Sequence, residues 1–397
     1  MQKNKEKILV ITYWSYNDAL IQTYTLPYLN IISNIISADS KIFLVTLDKN
    51  SRQEKMSDSK IENISFRYKD FGFGGLVMWM GILLKLIRLI RKEKITTIHT
   101  WCTPAGAIGY LLSILTGRKL IIDSFEPHAV PMLESGTWKK NSLAYKILFK
   151  LEKLQLKRAA EVICACAGMI AYSKNLYGIT KKRYFTKPAC TNLDLFSVDK
   201  IKNPKLIEEF HLKDKITCVY AGKFGGLYLE KETFDFFKVA ADFWGDKFQI
   251  LLLTSHSDEE IESYLKQVNL LPKHIIKKFV PHHQIPEYIG LADFAFCPMK
   301  PIPSRRFSTP IKNGEYWAMG LPIVITKNIS DDSDIIETNN IGSVLKDLNL
   351  AAYKKSVEEI DQLLNTSGRK ELRKKIRSIA EQYRNFEIAQ KVYSEIY

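Results

Sequence analysis

The chain has 397 residues, 46% of them hydrophobic and 25% charged, with a formal net charge of +15. That length suits two domains rather than one core, and the composition excludes a disordered or low-complexity chain. The surplus of Lys and Arg calls for an anionic partner: nucleic acid, an anionic membrane surface or a phosphorylated substrate. No motif interleaves aromatics with the basic residues, so no nucleic acid is expected.

The opening MQKNKEK is basic, but Ile8–Tyr13 is too short and too β-branched for a signal peptide. The longest apolar stretch, Leu76–Leu84, ends at Lys85, short of a transmembrane span. A cytoplasmic protein is therefore expected. Its six cysteines sit mostly in apolar runs and read as reduced, buried thiols.

Ile8–Thr12 reads as a strand, followed by the polar turn Ser15–Asp18. In a parallel sheet that loop opens where ligands collect. Trp14, Ser15, Asn17 and Asp18 are candidates for touching an acceptor substrate, or form an ordinary capped turn. A helix follows with Leu29, Ile32 and Ile36 on one face, kinked or restarted by Pro27. Strands come at Ile42–Thr46 and Ile64–Tyr68. Phe71–Lys94 starts glycine-rich and becomes a basic amphipathic helix with Lys85, Arg88 and Lys92 on one side. It suits a membrane interface and also a core-facing helix. We read its apolar face as mostly core, with a basic edge able to meet anionic lipid.

Ile95–His99 and Lys119–Asp123 are the next strands, and the loop Asp123–His128 carries two carboxylates and a histidine. In Leu143–Arg158 one stripe is Leu143, Ile147, Leu151 and Leu154, and another is Lys146, Lys150, Lys153 and Lys157. The lysines form a solvated face or, alternatively, a membrane-docking face. Strand-like Val162–Ala167 leads to TKPACTNLDLF, ending at Phe196, and Ser197–Lys215 reads as a linker.

The second half starts with strand Ile216–Ala221 and the turn Gly222–Gly226. Its glycines allow a ligand to approach the backbone closely. Their spacing is not G-x-G-x-x-G, so no dinucleotide site follows. Strand Gln249–Leu253 precedes a helix, Asp258–Val268, capped by Ser257. Strand Ile275–Phe279 enters Val280–Pro286, where adjacent His282 and His283 lack a third ligand, so no metal is expected.

Phe294–Ile325 is a βαβ unit: strand Phe294–Cys297, a basic loop with Lys300, Arg305 and Arg306, a helix, and strand Pro322–Thr326. Ser308, Thr309 and Pro310 spell a hydroxyl cap followed by proline at the first helical position. The helix carries Lys312 and Glu315 and stops near Gly320. Its start, with these cations nearby, suits a phosphate, and Glu315 suits a neutral donor such as a ribose hydroxyl. Ser333–Glu337 is a further helix, Gly342–Leu345 a strand, and Ala351–Tyr397 a basic helical tail. Alternating strands and helices in both halves imply parallel sheets covered on both faces.

S-T-P-x-K-x-x-E-Y-x-A-x-G-L-P, residues 308–322, resembles the donor-site motif of glycosyltransferase family 4. The resemblance implies a GT-B fold: two Rossmann-like domains facing across a cleft, with boundaries at 1–196 and 197–380 and a final helix, 381–397, returning to the first. It implies retaining transfer of a sugar from a UDP- or GDP-linked donor to an acceptor hydroxyl, with no metal or other cofactor. Glu315 matches the second of two family glutamates, the one on the ribose; the first falls on Phe307. Lys223 stands where the family has a diphosphate-binding arginine, and Lys231 is the candidate for its lysine. Gly222, Gly225, Gly226, Arg305, Arg306, Ser308, Thr309 and Lys312 would complete the phosphate site. Val280 would lie by the nucleobase, His128 by the donor sugar, and Asp194 in the interdomain segment. A glycan or lipid-linked acceptor on the inner face of a membrane, in surface polysaccharide assembly, would account for the basic charge. A sugar-nucleotide 2-epimerase of the same fold and an inactive partner subunit are the alternatives.

Overall fold

The computed structural model describes residues 5–48, 58–68, 73–366 and 368–397. The expected glycine-rich lead-in at 71–72 lies outside them. The chain divides into two compact units, residues 1–188 with 387–397, and residues 189–386.

The first unit is a seven-stranded sheet of β1 (Lys7–Ile11), β2 (Lys41–Asp48), β3 (Ile61–Arg67), β4 (Thr97–Trp101), β5 (Lys119–Phe125), β6 (Glu161–Cys164) and β7 (Arg183–Thr186). Their order is β3-β2-β1-β4-β5-β6-β7, and every pairing is parallel. The second unit repeats the plan with β8 (Ile216–Ala221), β9 (Phe248–Leu253), β10 (Ile275–Lys278), β11 (Phe294–Cys297), β12 (Ile323–Thr326) and β13 (Gly342–Leu345). Its order is β10-β9-β8-β11-β12-β13, again parallel throughout. Central strands such as FQILLL and FAFC are buried at every residue, as sheets covered on both faces require. In each unit the strand order reverses beside the first strand, between β1 and β4 and between β8 and β11. Such a reversal opens a crevice at the carboxyl ends of the two strands.

The helix after β1 restarts at Pro27, as expected, whereas several other expectations need correction. The helix after β1 is a π-helical turn, Ile21–Thr25, running into an α-helix, Leu26–Ile35, with Pro27 in its first turn. Proline cannot donate to the preceding turn, so the restart falls there. β5 continues past its expected end at Asp123 to Phe125, which pairs with Cys164 after a register shift, so Asp123 lies inside a buried strand rather than at its end. The expected linker 197–215 is built into the second unit. It holds a helix, Pro204–Glu209, and buries Leu212, and its Lys202 ammonium lies 3.0 Å from Asp293.

The helix Leu143–Arg158 is turned away from its expected stripe: Leu143 and Ile147 are exposed, while Glu152, Gln155 and Leu156 are buried. Hydrogen bonding decides this. The Glu152 carboxylate accepts the N–H groups of His128 and Ala129, each at 2.8 Å, and the Tyr177 hydroxyl at 2.8 Å. Gln155 donates to the Thr103 carbonyl. A buried carboxylate with three donors is tolerable; one turned into an apolar layer without them is not.

The terminal helix Phe386–Ile396 is locked to the first sheet through a buried polar centre. Asp123, Lys187 and His99 are all fully buried. The Asp123 carboxylate sits 3.2 Å from Lys187 Nζ and 3.2 Å from His99 Nε2, and accepts the Tyr393 hydroxyl at 2.6 Å. His99 Nδ1 is 2.6 Å from the Tyr397 hydroxyl, and Lys187 Nζ lies 3.6 Å above the Tyr28 ring. Burial alone would raise the Asp123 pKa; Lys187, His99 and Tyr393 overcome it and hold the group at about 2.

Candidate functional site

The crevice of the second unit is built by the chain leaving β8 and the chain leaving β11. β8 ends at Ala221, whose N–H donates to the Tyr316 hydroxyl at 2.9 Å. The turn that follows needs glycine. Gly222 has φ +142° and Gly225 φ +81°, where side chains are strained. A Cβ on Gly222 would also stand 2.7 Å from Lys312 Nζ. The two loops are stitched together: Leu229 N–H donates to the Pro298 carbonyl at 2.7 Å, and Lys300 N–H to the Leu227 carbonyl at 3.0 Å.

Above this turn lies the start of the helix Ile311–Ala318. Pro310 is its N-cap, one residue later than expected, and no side chain caps it. The anticipated hydroxyl cap is absent because Thr309 Oγ1 points to Ser330 Oγ, 3.4 Å away. An uncapped first turn leaves backbone N–H groups for an incoming anion.

Lys312 is the cation at this point. Its ammonium is buried, has no acceptor in hydrogen-bonding geometry among the described residues, and lies 3.9 Å and 4.5 Å from the ring centres of Tyr228 and Tyr220. Burial opposes its charge, but Tyr228, Tyr220 and Cys297 outweigh that and raise its pKa above that of free lysine. No carboxylate pairs with it among the described residues.

Glu315, one turn further on, is mostly buried and pairs with His282, Nε2 to Oε1 at 3.1 Å. His282 packs against Phe196, ring centres 5.9 Å apart. Val280 lies just before, at the end of the β10 loop. The structure thus brings Gly222, Lys312 and Glu315 together with the β10 loop. Lys223 is exposed on the turn and forms no ion pair among the described residues; Gly226, also exposed, completes that turn with φ +60°.

Other candidates are differently engaged. Lys231 opens the helix Lys231–Trp244, is 60% exposed, and is paired with Asp235 at 2.8 Å. Arg306 pairs with Asp334 at 3.0 Å on the surface. Arg305 is buried, its carbonyl accepting the N–H groups of Ser308 at 3.2 Å and Ser330 at 3.1 Å, and Ser308 is buried beside it. In the first unit, Trp14, Ser15, Asn17 and Asp18 follow β1 at its switch point. Ser15 hydrogen-bonds Asp48, the Tyr16 N–H donates to the same carboxylate at 2.9 Å, and Asp18 accepts the Leu20 N–H at 2.8 Å. His128 is half-buried at the start of the short helix Ala129–Glu134, its N–H held by Glu152.

Two histidines escaped the sequence. His256, after β9, accepts the Phe224 N–H on Nε2 at 2.8 Å, while its Nδ1 lies 3.0 Å from Glu260, pinning the glycine turn. His282 was visible only as half of an adjacent pair. Nothing in the spacing marks a residue whose partner is 33 positions away, as Glu315 is from His282.

Two Rossmann-like parallel sheets in one chain are the architecture of GT-B glycosyltransferases, and solved structures of that class match over nearly the whole chain. A sucrose-phosphate synthase from Thermosynechococcus elongatus is 16% identical, with a TM-score of 0.74 over 99% of this chain and 98% of that one. A glycosyltransferase from Rickettsia africae is 13% identical, with a TM-score of 0.69 over 99% of each chain. Anabaena HepE in complex with UDP is 12% identical, with a TM-score of 0.68 over 98% of this chain and 99% of that one. Among curated protein sequences no match was found. Residues 205–383 match the family model of the glycosyl transferases group 1. That match covers most of the second unit, and the fold of the chain is that of the GT-B glycosyltransferases.

Proposed function

We propose that the protein transfers a sugar, with retention, from a nucleoside-diphosphate sugar to an acceptor hydroxyl, as family 4 enzymes do. The observation that carries this is the Lys312 ammonium: buried, charged, unmatched by a carboxylate, and placed between the Gly222 turn and an uncapped helix start. As the glycosidic bond loosens, negative charge grows on the departing diphosphate. Fixed cations and N–H dipoles already aimed at that charge lower the barrier without reorganising. Lys312 and the first-turn amides supply them, with Lys223 closing from the exposed side. Such a charge set does without a metal. Glu315, oriented by His282, receives the ribose hydroxyls, and the Val280 segment meets the base.

UDP is the favoured nucleotide, because the HepE structure holds UDP and an E. coli structure of the same fold holds UDP-2-fluoro glucose. We assign the acceptor to the first unit, with His128 and the loop of Trp14, Ser15, Asn17 and Asp18 as the residues that would serve it. A lipid-linked or surface glycan acceptor at the inner face of a membrane fits the basic charge.

A thermal-shift titration tests the donor site, since a ligand that binds only the native state raises its melting point. UDP should stabilise the protein more than GDP, and Glu315→Ala should weaken UDP about tenfold to a hundredfold, as loss of hydrogen bonds to a charged group implies. An unchanged UDP response in Glu315→Ala overturns the assignment.

A further inference from the structure

The surplus positive charge is confined to one unit. Residues 1–188 and 387–397 hold 30 Lys and Arg against 16 Asp and Glu, a net of +14. Residues 189–386 hold 28 against 27, a net of +1. A donor site for a diphosphate in the second unit does not account for that partition.

The same unit exposes aliphatic side chains on three neighbouring helices. The helix Cys102–Thr116 packs against both Phe73–Lys92 and Leu143–Arg158. On Phe73–Lys92, Val77, Met80 and Leu84 are each more than half exposed. On the middle helix Leu111, Ile114 and Leu115 are exposed, and on the third Leu143 and Ile147, the former at 74%. In the second unit the exposed large apolar residues fall on separate elements: Val198, Leu227, Phe243, Leu271, Phe279 and Leu350. Clustered aliphatics on a soluble surface mark an interaction site, whereas single ones do not.

The cations share the face. Val77, Met80, Leu84, Arg88 and Arg91 follow one another at helical spacing along one stripe, as do Leu143, Ile147 and Lys150, with Lys146 adjoining. Arg88, Arg91, Lys146 and Lys150 are exposed and form no ion pair among the described residues. No described helix is long and apolar enough to cross a membrane.

We propose that this three-helix face docks on an anionic lipid bilayer, the aliphatics entering the headgroup boundary and the cations meeting lipid phosphates. A second copy of the chain is disfavoured, because a two-fold contact would set these unpaired cations against themselves. A nucleic acid gives the aliphatics nothing to bury in. The surface lies in a different unit from the donor site and stands whether or not that site binds UDP.

Flotation of the full chain with vesicles tests it, using phosphatidylglycerol–phosphatidylcholine mixtures against phosphatidylcholine alone. Binding should require the anionic lipid and fall with salt. Lys146→Gln with Lys150→Gln should weaken it roughly thirtyfold, at about 1 kcal/mol per surface charge. Leu143→Ser with Ile147→Ser should weaken it roughly tenfold. Both double variants replace exposed side chains and should keep the wild-type melting point and UDP response. Glu315→Ala should lose UDP and still float. No binding to anionic vesicles overturns the proposal, as does binding that both double variants retain. Dimerisation abolished by the Leu143/Ile147 variant, without vesicle binding, assigns the face to a second copy and overturns it too.

Discussion

Each unit buries a lysine over tyrosine rings at the edge of a parallel sheet, and the two lysines differ in one respect. Lys187 has a carboxylate 3.2 Å away, in Asp123. Lys312 has Tyr228 and Tyr220 and, among the described residues, no carboxylate. A buried cation with its counter-ion is a cross-link, here between β5, the chain after β7 and the terminal helix. A buried cation without one carries an unmet demand for negative charge, which a ligand can satisfy. The fold tolerates the second only because the π faces partly replace the lost hydration.

Removing Lys187 should have the largest effect. Lys187→Met leaves the buried Asp123 carboxylate without its lysine, and should cost about 3–5 kcal/mol in urea denaturation. Lys187→Met with Asp123→Leu should recover much of it, since an apolar pair needs no counter-ion. If the single variant costs under 1 kcal/mol, the centre is not a cross-link. Lys312→Met should do the reverse: little change, or a gain, in stability without ligand, and UDP binding weaker by about 10- to 100-fold. A variant that unfolds, or that binds UDP normally, would erase the contrast between the two lysines.

Acid titration separates them further. The folded pKa of Asp123, about 2, lies below its unfolded value, so its contribution is present above roughly pH 4 and is lost as pH falls toward 2. The wild type should lose of the order of 2 kcal/mol across that window beyond what Asp123→Asn loses, measured by denaturant midpoints. The smallest effect is expected at Lys231, whose partner Asp235 is one turn away on an open surface. Lys231→Ala should change stability by less than about 0.5 kcal/mol and UDP affinity by less than about twofold. A larger loss of UDP affinity would return to Lys231 the diphosphate role that the motif resemblance gave it.

Much of the second unit is legible in order along the chain. Strands Phe294–Cys297, Ile216–Ala221 and Gly342–Leu345 and the helix Asp258–Val268, with its Ser257 cap, end where their residues say they should. Short apolar runs punctuated by glycine and proline need no distant information. Errors fall where a distant group intervenes. Asp123 stays in β5 because Phe125 still pairs with Cys164. Glu152 turns inward because three donors await it, and Leu143 and Ile147 turn outward in consequence.

By itself, then, the sequence determined the alternating strand–helix order, the basic surplus and the short donor motif carrying Lys312 and Glu315, because each is written in neighbouring residues. Only the tertiary structure decided which lysine is neutralised, that His282 holds Glu315, and which helix faces remain bare. Those outcomes depend on partners tens or hundreds of positions apart, and local spacing carries no information about who meets whom across a sheet.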